Sequence, residues 1–291
     1  MMQPPFDQRD GVIWFDGDLR PWADAKVHVL THALHYASSV FEGERAYGGE
    51  IFKLREHTER LFYSARTMDM EPTYTLDEID AACRAVLAEN NLSDAYVRPV
   101  FWRGSEMMSV PAQNATVHAA IAAWEWPSYY TREQRLQGLR LHLSEWRRPA
   151  PDTIPCFTKA SGLYMICTLS RHEAERRGFN DALMLDYRGQ VAEATGANVF
   201  FVKDGEIHTP LPDCFLDGIT RRTVIDLAKK RGLAVIERAI MPEELADFDE
   251  CFLTGTAVEV TPVAEIGDTA FPKRDIAPVL LDDYEAAVRP S

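Results

Sequence analysis

Strand-like and helix-like stretches alternate along this 291-residue chain without a strict β–α–β rhythm, and no Gly-x-Gly-x-x-Gly turn is present. That irregular alternation disfavours a doubly wound parallel sheet and leaves an α+β architecture. Asp16-Gly17, Gly48-Gly49 and Asp204-Gly205 are turn pairs suited to positive φ, and each marks a hairpin. Apolar periodicity predicts helices over 55–69, 76–90, 161–177, 220–231 and 241–245, with Thr75 capping the second. Strands are expected over 95–102, 116–124, 139–144, 182–186 and 190–202, the last two flanking Arg188-Gly189. Periodicity breaks at Pro127, which puts a domain connection there. The expected division is a small N-terminal domain over 1–126, a linker over 127–138 and a large C-terminal domain over 139–291.

Composition agrees with two domains, since a chain of this length with 46% hydrophobic residues buries a large core. A net charge of −14 argues against nucleic acid or an anionic membrane as partner, because both favour a basic face. The first ten residues hold no apolar run, and nothing later approaches the roughly 20 apolar residues of a membrane span. Five cysteines, odd in number and without a Cys-x-x-Cys pair, fit free thiols in a reducing compartment, so a cytoplasmic location is expected. His28, His32 and His35 have the spacing of one helical face, and His32 and His35 with Glu42 offer donor atoms to a metal. The spacing lacks a zinc-like third ligand, so histidines packing or hydrogen-bonding about a helix start are the preferred reading and no metal is expected.

Four segments carry chemistry. A lysine amine that captures an aldehyde cofactor needs a carboxylate elsewhere to hold the proton on the cofactor's ring nitrogen, so that the ring accepts electrons. Lys159 and Glu193 are the candidates, although either alone would pass for a surface charge or a residue on a strand's polar face. Leu216-Asp217-Gly218-Ile219-Thr220 runs into an apolar-periodic stretch, so backbone N–H groups and a hydroxyl meet at a helix start as an anion seat. Thr254-Gly255-Thr256-Ala257 breaks a strand at a glycine, where amides converge on a second anion. Two anion seats suit a phosphorylated cofactor and an acidic substrate. Tyr96 and Arg98 share one face of an expected strand by period-two alternation, projecting a hydroxyl and a guanidinium together.

With these four go 24–28, 32–36, 40–45, 55–61, 96–99 and 146–155, in order along nearly the whole chain. Together they resemble the branched-chain amino acid aminotransferases, class IV enzymes of fold type IV that use pyridoxal 5′-phosphate (PLP). The resemblance implies a two-domain α+β fold like that of D-amino acid aminotransferase, with the cofactor between a small N-terminal α/β lobe and a larger C-terminal lobe. It implies transamination of leucine, isoleucine or valine with 2-oxoglutarate, so the partners are small amino acids and 2-oxo acids. It also implies a homodimer or a dimer-based hexamer, in which Met107-Met108-Ser109-Val110 reaches a neighbour's site.

By that resemblance Lys159 anchors the cofactor and moves the substrate proton, Glu193 holds the ring nitrogen, and Tyr164 bonds the phenolic oxygen. Arg60, Leu216, Gly218, Ile219, Thr220, Gly255 and Thr256 complete the cofactor set. Arg98 meets the carboxylate of a glutamate side chain, while Tyr96, Tyr36, Phe41, Arg45, Val110, Trp126 and Tyr129 shape the substrate pocket. The amides of Thr256 and Ala257 seat the α-carboxylate. Each aromatic taken alone is more often plain core. Two departures from the family pattern are Glu44, where many members carry an aliphatic residue, and Arg103 after the bulky Trp102. Near a pocket rim these would pair or change which substrates are admitted. D-amino acid or (R)-amine transamination, or aminodeoxychorismate lyase chemistry, is the alternative on the same fold, and a non-catalytic PLP-binding or interaction module is a third reading.

Overall fold

A computed structural model describes residues 4–126 and 132–289, with the side chain of Gln134 left out. Two compact units emerge, Met1–Pro127 with Thr158–Gly162, and Ser128–Phe157 with Leu163–Ser291. The expected break at Pro127 and the pocket residue Tyr129 lie outside the described residues.

In the first unit β1 (Val12–Phe15) and β2 (Asp18–Pro21) form a hairpin. Its turn residues Asp16 and Gly17 take φ of 49° and 98°, the left-handed conformations that a two-residue turn demands. A short α1 (His32–Tyr36) precedes β3 (Ser39–Phe41), and β4 (Glu44–Tyr47) returns as β5 (Glu50–Ile51) through Gly48-Gly49. Next come α2 (Leu54–Thr67) and α3 (Leu76–Glu89). Thr75 caps α3 within a complete capping box, its own N–H donating to Glu78 at 2.7 Å. The strands β6 (Ala95–Arg103) and β7 (Val117–Glu125) then pair antiparallel along their whole length.

The sheet runs β2-β1-β7-β6-β4-β5, with β3 also on β6. Alternation along β6 sends Val97 and Phe101 under α2 and α3, where Leu61, Ile79 and Val86 are fully buried, and sends Tyr96 and Arg98 to the opposite face. Thr158–Gly162 joins this unit, although the sequence places it in the C-terminal domain. Phe41 donates its N–H to the Lys159 carbonyl at 3.2 Å and Val40 bridges Ala160, so the segment extends the β3 edge.

The second unit begins with α4 (Arg132–Leu136), inside the stretch expected to be linker, and β8 (Leu139–Leu143). A 3-10 turn at Ser161–Leu163 leads into α5 (Tyr164–Arg176), so the helix proper starts later than periodicity predicts. Then follow β9 (Asp181–Leu185), β10 (Val191–Ala194), β11 (Asn198–Lys203), β12 (Glu206–Thr209), α6 (Ile219–Lys230) and β13 (Val235–Glu237). The unit ends with β14 (Glu250–Gly255), β15 (Glu259–Ile266), β16 (Thr269–Ala270) and α7 (Ala277–Val288).

The strand expected over 190–202 is two strands. Small residues at 195–197 let the chain reverse, with Ala194 N–H bonded to the Ala197 carbonyl at 2.8 Å. The helix expected over 241–245 is a 3-10 segment, Pro242–Asp247, and α7 was not read at all, although Leu280, Leu281, Tyr284 and Val288 recur at helical spacing. Because β10 pairs with both β9 and β11, the path β10-β9-β8-β15-β14-β11 closes on itself through the pair Glu193–Asn198. Leu141, Leu183, Val199, Phe201, Leu253 and Val263 fill its interior, each worth about 1.5–3 kcal/mol in removal from water.

Candidate active site

The first unit gathers an amine, two guanidiniums and an aromatic wall. Arg98 donates to the Tyr96 hydroxyl at 3.0 Å and lies over the Phe41 ring at 4.5 Å. The Lys159 amine lies 5.2 Å from the centre of the same ring. Tyr96 in turn stacks on Trp124 and Trp126, with centroids 5.0 and 5.1 Å away. Gly43 permits this arrangement, since a Cβ there would stand 2.0 Å from the Tyr96 hydroxyl. Burial pulls the Lys159 amine below its ordinary pKa, with Arg60 and Arg98 adding to the fall and Glu42 opposing it. Arg60 comes from α2, where its Nε and Nη2 donate to the two oxygens of Glu42 at 2.6 and 2.8 Å.

The second unit supplies a buried carboxylate and an open helix start. Glu193 stands at the ring closure, where a bulge at Ala192 shifts the register of β10 on β9. All four residues of β10 are buried, so Glu193 has no polar face to occupy. Its carboxylate faces Arg148 Nε at 3.4 Å and accepts from Asn198 Nδ2 at 3.3 Å. Burial works most strongly against the charge of Arg148, and Glu193, Cys167 and Tyr164 together outweigh it, so its pKa lies above the ordinary value. Asn198 also donates to the Leu216 carbonyl at 3.0 Å. Gly218 must be glycine for that to hold, because a Cβ would stand 2.3 Å from Asn198 Oδ1. Gly218 is the N-cap of α6, with no side-chain cap and no acidic residue in the first turn, so the amides at Ile219 and Thr220 face a positive helix end. At the other expected seat β14 ends on Gly255, Thr256 and Ala257 form the turn, and the buried Thr254 hydroxyl has no hydrogen-bond partner among the described residues.

Three further expected residues belong to the first unit. Tyr36 is exposed and stacks on His32, and Val110 is 78% exposed on its loop. Arg45, opposite Tyr96 on β4, is buried with its guanidinium over Tyr47 at 4.9 Å. Neither departure from the family pattern sits at a rim. Glu44 pairs with Val97 and is fully buried on the α3 side of the sheet, where its oxygens meet no N–H or O–H donor among the described residues. Burial first, then the charges of Glu42 and Asp80, raise its pKa well above the usual carboxylate range, and the Cys83 thiol lies beside it. Arg103, at the far end of β6, donates to the carbonyls of Ala112 and Asp69, and the two newcomers do not pair. His28 lies outside α1, and both ring nitrogens of His32 are bonded, to Ser38 at 2.7 Å and Ser109 at 2.9 Å. Sequence reasoning missed Arg148 and Asn198; Arg148 stood within a noted segment, but nothing in the chain signalled its contact with Glu193.

The donor set suits PLP. In the first unit a lysine with a lowered pKa and an arginine suit an aldehyde and a phosphate, and in the second an uncapped helix start, an orphan buried hydroxyl and a carboxylate in a polar cage suit a phosphate and a ring nitrogen. Residues 39–266 match the family described as amino-transferase class IV. The branched-chain-amino-acid aminotransferase of Pseudomonas aeruginosa is 46% identical over 262 residues, covering 89% of this chain and 85% of its own. The probable enzyme of that name from Rickettsia conorii is 43% identical over 281 residues, covering 95% and 96%. Among solved structures, the T.th. branched-chain amino acid aminotransferase with pyridoxamine 5′-phosphate superposes with a TM-score of 0.94 at 38% identity, over 97% of this chain and 96% of that one. The Thermoproteus uzoniensis enzyme with norvaline gives 0.91 at 35% identity, over 96% and 95%.

Proposed function

This chain belongs to the class IV aminotransferases, and we propose that it transfers the amino group of leucine, isoleucine or valine to 2-oxoglutarate with PLP as cofactor. The observation that carries the substrate reading is the Tyr96–Arg98 pair beside Phe41 and Lys159. A guanidinium set on an aromatic wall serves both partners, binding the side-chain carboxylate of glutamate and leaving apolar surface for an aliphatic chain. The alternative of D-amino acid or (R)-amine chemistry gains no support from the relatives, which carry the branched-chain name.

Lys159, Arg60, Glu193 and the α6 start at Gly218–Thr220 would hold the cofactor, with Tyr164 beside its ring and Thr256 and Ala257 toward the substrate carboxylate. When bound, PLP supplies an aldehyde that takes up the amino group and a ring that accepts the electrons released at the substrate Cα. The lowered pKa of Lys159 favours the unprotonated amine more than in an ordinary lysine, so that it can take a proton from Cα and return it. Glu193, whose carboxylate faces Arg148, would hold a proton on a ring nitrogen. Phe41 lies beside the amine, and Tyr96 and Trp126 continue the aromatic wall.

We read the assembly as a homodimer or a dimer-based hexamer. An apolar hollow of about 350 Å³ lined by Phe15, Val27, Leu34, Val100 and Trp102 is flanked by exposed Val29 and Leu30, and Val110 is exposed as well. Five free, buried cysteines support a cytoplasmic, reducing location. Among the described residues no helix is long and apolar enough to cross a membrane. The test is an absorbance spectrum of PLP-loaded protein before and after L-leucine, L-glutamate, their D-forms and (R)-1-phenylethylamine. Loss of the visible band with the two L-amino acids alone is expected. Loss with a D-amino acid or the amine overturns the substrate reading, and no visible band at all overturns the cofactor.

A further inference from the structure

Glu42, between β3 and β4, is fully buried and carries four hydrogen bonds. Its Oε1 accepts from Arg60 Nε at 2.6 Å, and its Oε2 accepts from Arg60 Nη2 at 2.8 Å, His57 Nδ1 at 2.8 Å and the Gly43 N–H at 3.3 Å. An ionised carboxylate only accepts, so His57 presents an Nδ1–H. Burial works against the charge, but Arg60 and then His57 hold the Glu42 carboxyl well below its usual range, and burial lowers the pKa of His57. The backbone around Glu42 is pinned as well. Its N–H donates to the Pro99 carbonyl at 2.9 Å, and that of Phe41 donates to the carbonyl of Lys159. One short loop therefore fixes the lysine segment by its main chain and the arginine by its side chain.

Arginine has many rotamers, and a two-pronged carboxylate is the partner that selects one and sets the plane of the guanidinium. Resting on the PLP reading above, we propose that Glu42 is a positioning residue for the phosphate end of the site: it aims Arg60, with His57 locking the carboxylate, and acts on the cofactor only through that arginine. The competing effect of the same carboxylate is to mask the positive charge that attracts a phosphate. Geometry favours positioning. In Glu42→Gln the amide nitrogen would face either donors of Arg60 or the His57 N–H, and a buried guanidinium set against a second donor must turn away.

The experiment strips the wild-type holoenzyme, Glu42→Gln and His57→Leu of cofactor. Each is then titrated with PLP and separately with pyridoxal, which lacks the phosphate, following tryptophan fluorescence and the visible band. Wild type should prefer PLP over pyridoxal. In Glu42→Gln the Kd for PLP should rise about tenfold or more while that for pyridoxal stays within about twofold, and His57→Leu should shift the ratio the same way by less. An unchanged ratio overturns the proposal, and so does a stronger preference for PLP, which is the signature of charge masking. If Glu42→Gln fails to fold, His57→Leu decides alone, an unchanged ratio again counting against. If wild type binds both compounds but without preference, the role of Arg60 toward phosphate falls and the proposal with it; if wild type binds neither, the PLP reading itself falls.

Discussion

Lys159, Arg98 and Glu44 show three degrees of legibility at the residue scale. Lys159 was legible because the chemistry demands an amine, and the structure adds the burial that lowers its pKa. Arg98 was placed by strand alternation, and its contact with Tyr96 follows from that period. Arg98→Ala should slow the half-reaction with L-glutamate by about tenfold or more and that with L-leucine far less, measured in single turnovers. Equal losses would refute its assigned role. Glu44 was misread as a rim residue because one sequence does not say which layer lies over a strand face. Its folded pKa is raised, so its contribution to stability is fully present below the unfolded value of 4.5 and is lost as pH rises toward the folded value. Glu44→Leu should therefore gain melting temperature over wild type at pH 8 and gain less at pH 5. A gap independent of pH would mean that the carboxyl is not neutral in the folded protein.

Elements with local signals were the readable ones. Asp16-Gly17 demanded a hairpin, and the Thr75–Glu78 capping box announced α3, because turn and cap chemistry are decided within a few residues. The split of 190–202 into β10 and β11 was passed over, although Thr195-Gly196 interrupts the apolar run at the reversal, because the pair Glu193–Asn198 that closes it forms only when the two strands meet. The start of α6 was read as an anion seat, but its dependence on Asn198 appears only when the two segments meet at Gly218. Gly218→Ala should cost about 1–3 kcal/mol by displacing Asn198, and it should loosen PLP. Thermal melting of the cofactor-free protein reports the first effect and cofactor retention on gel filtration the second; an unchanged value in both would show that the close contact relaxes freely.

For the whole molecule, Val29, Leu34 and Val110 are exposed apolar residues that a neighbouring copy would cover in the proposed dimer. Light scattering should give at least twice the mass of one chain, and a single-chain mass would sink the dimer reading. Val110→Asp should shift the population toward smaller particles if its loop reaches a neighbour.

By itself the sequence determined the α+β class, the hairpins and caps, and the chemical identities of Lys159, Glu193, Tyr96 and Arg98. Short-range periodicity, turn geometry and side-chain chemistry are properties of residues close together in the chain. Tertiary structure alone decided that Thr158–Gly162 belongs with the first unit, that Arg148 and Asn198 cage Glu193, that Glu44 is buried with its pKa raised, and that Glu42 grips Arg60. Each of these depends on which distant segment covers a given face, and burial and charge pairing take their values only once that neighbour is in place.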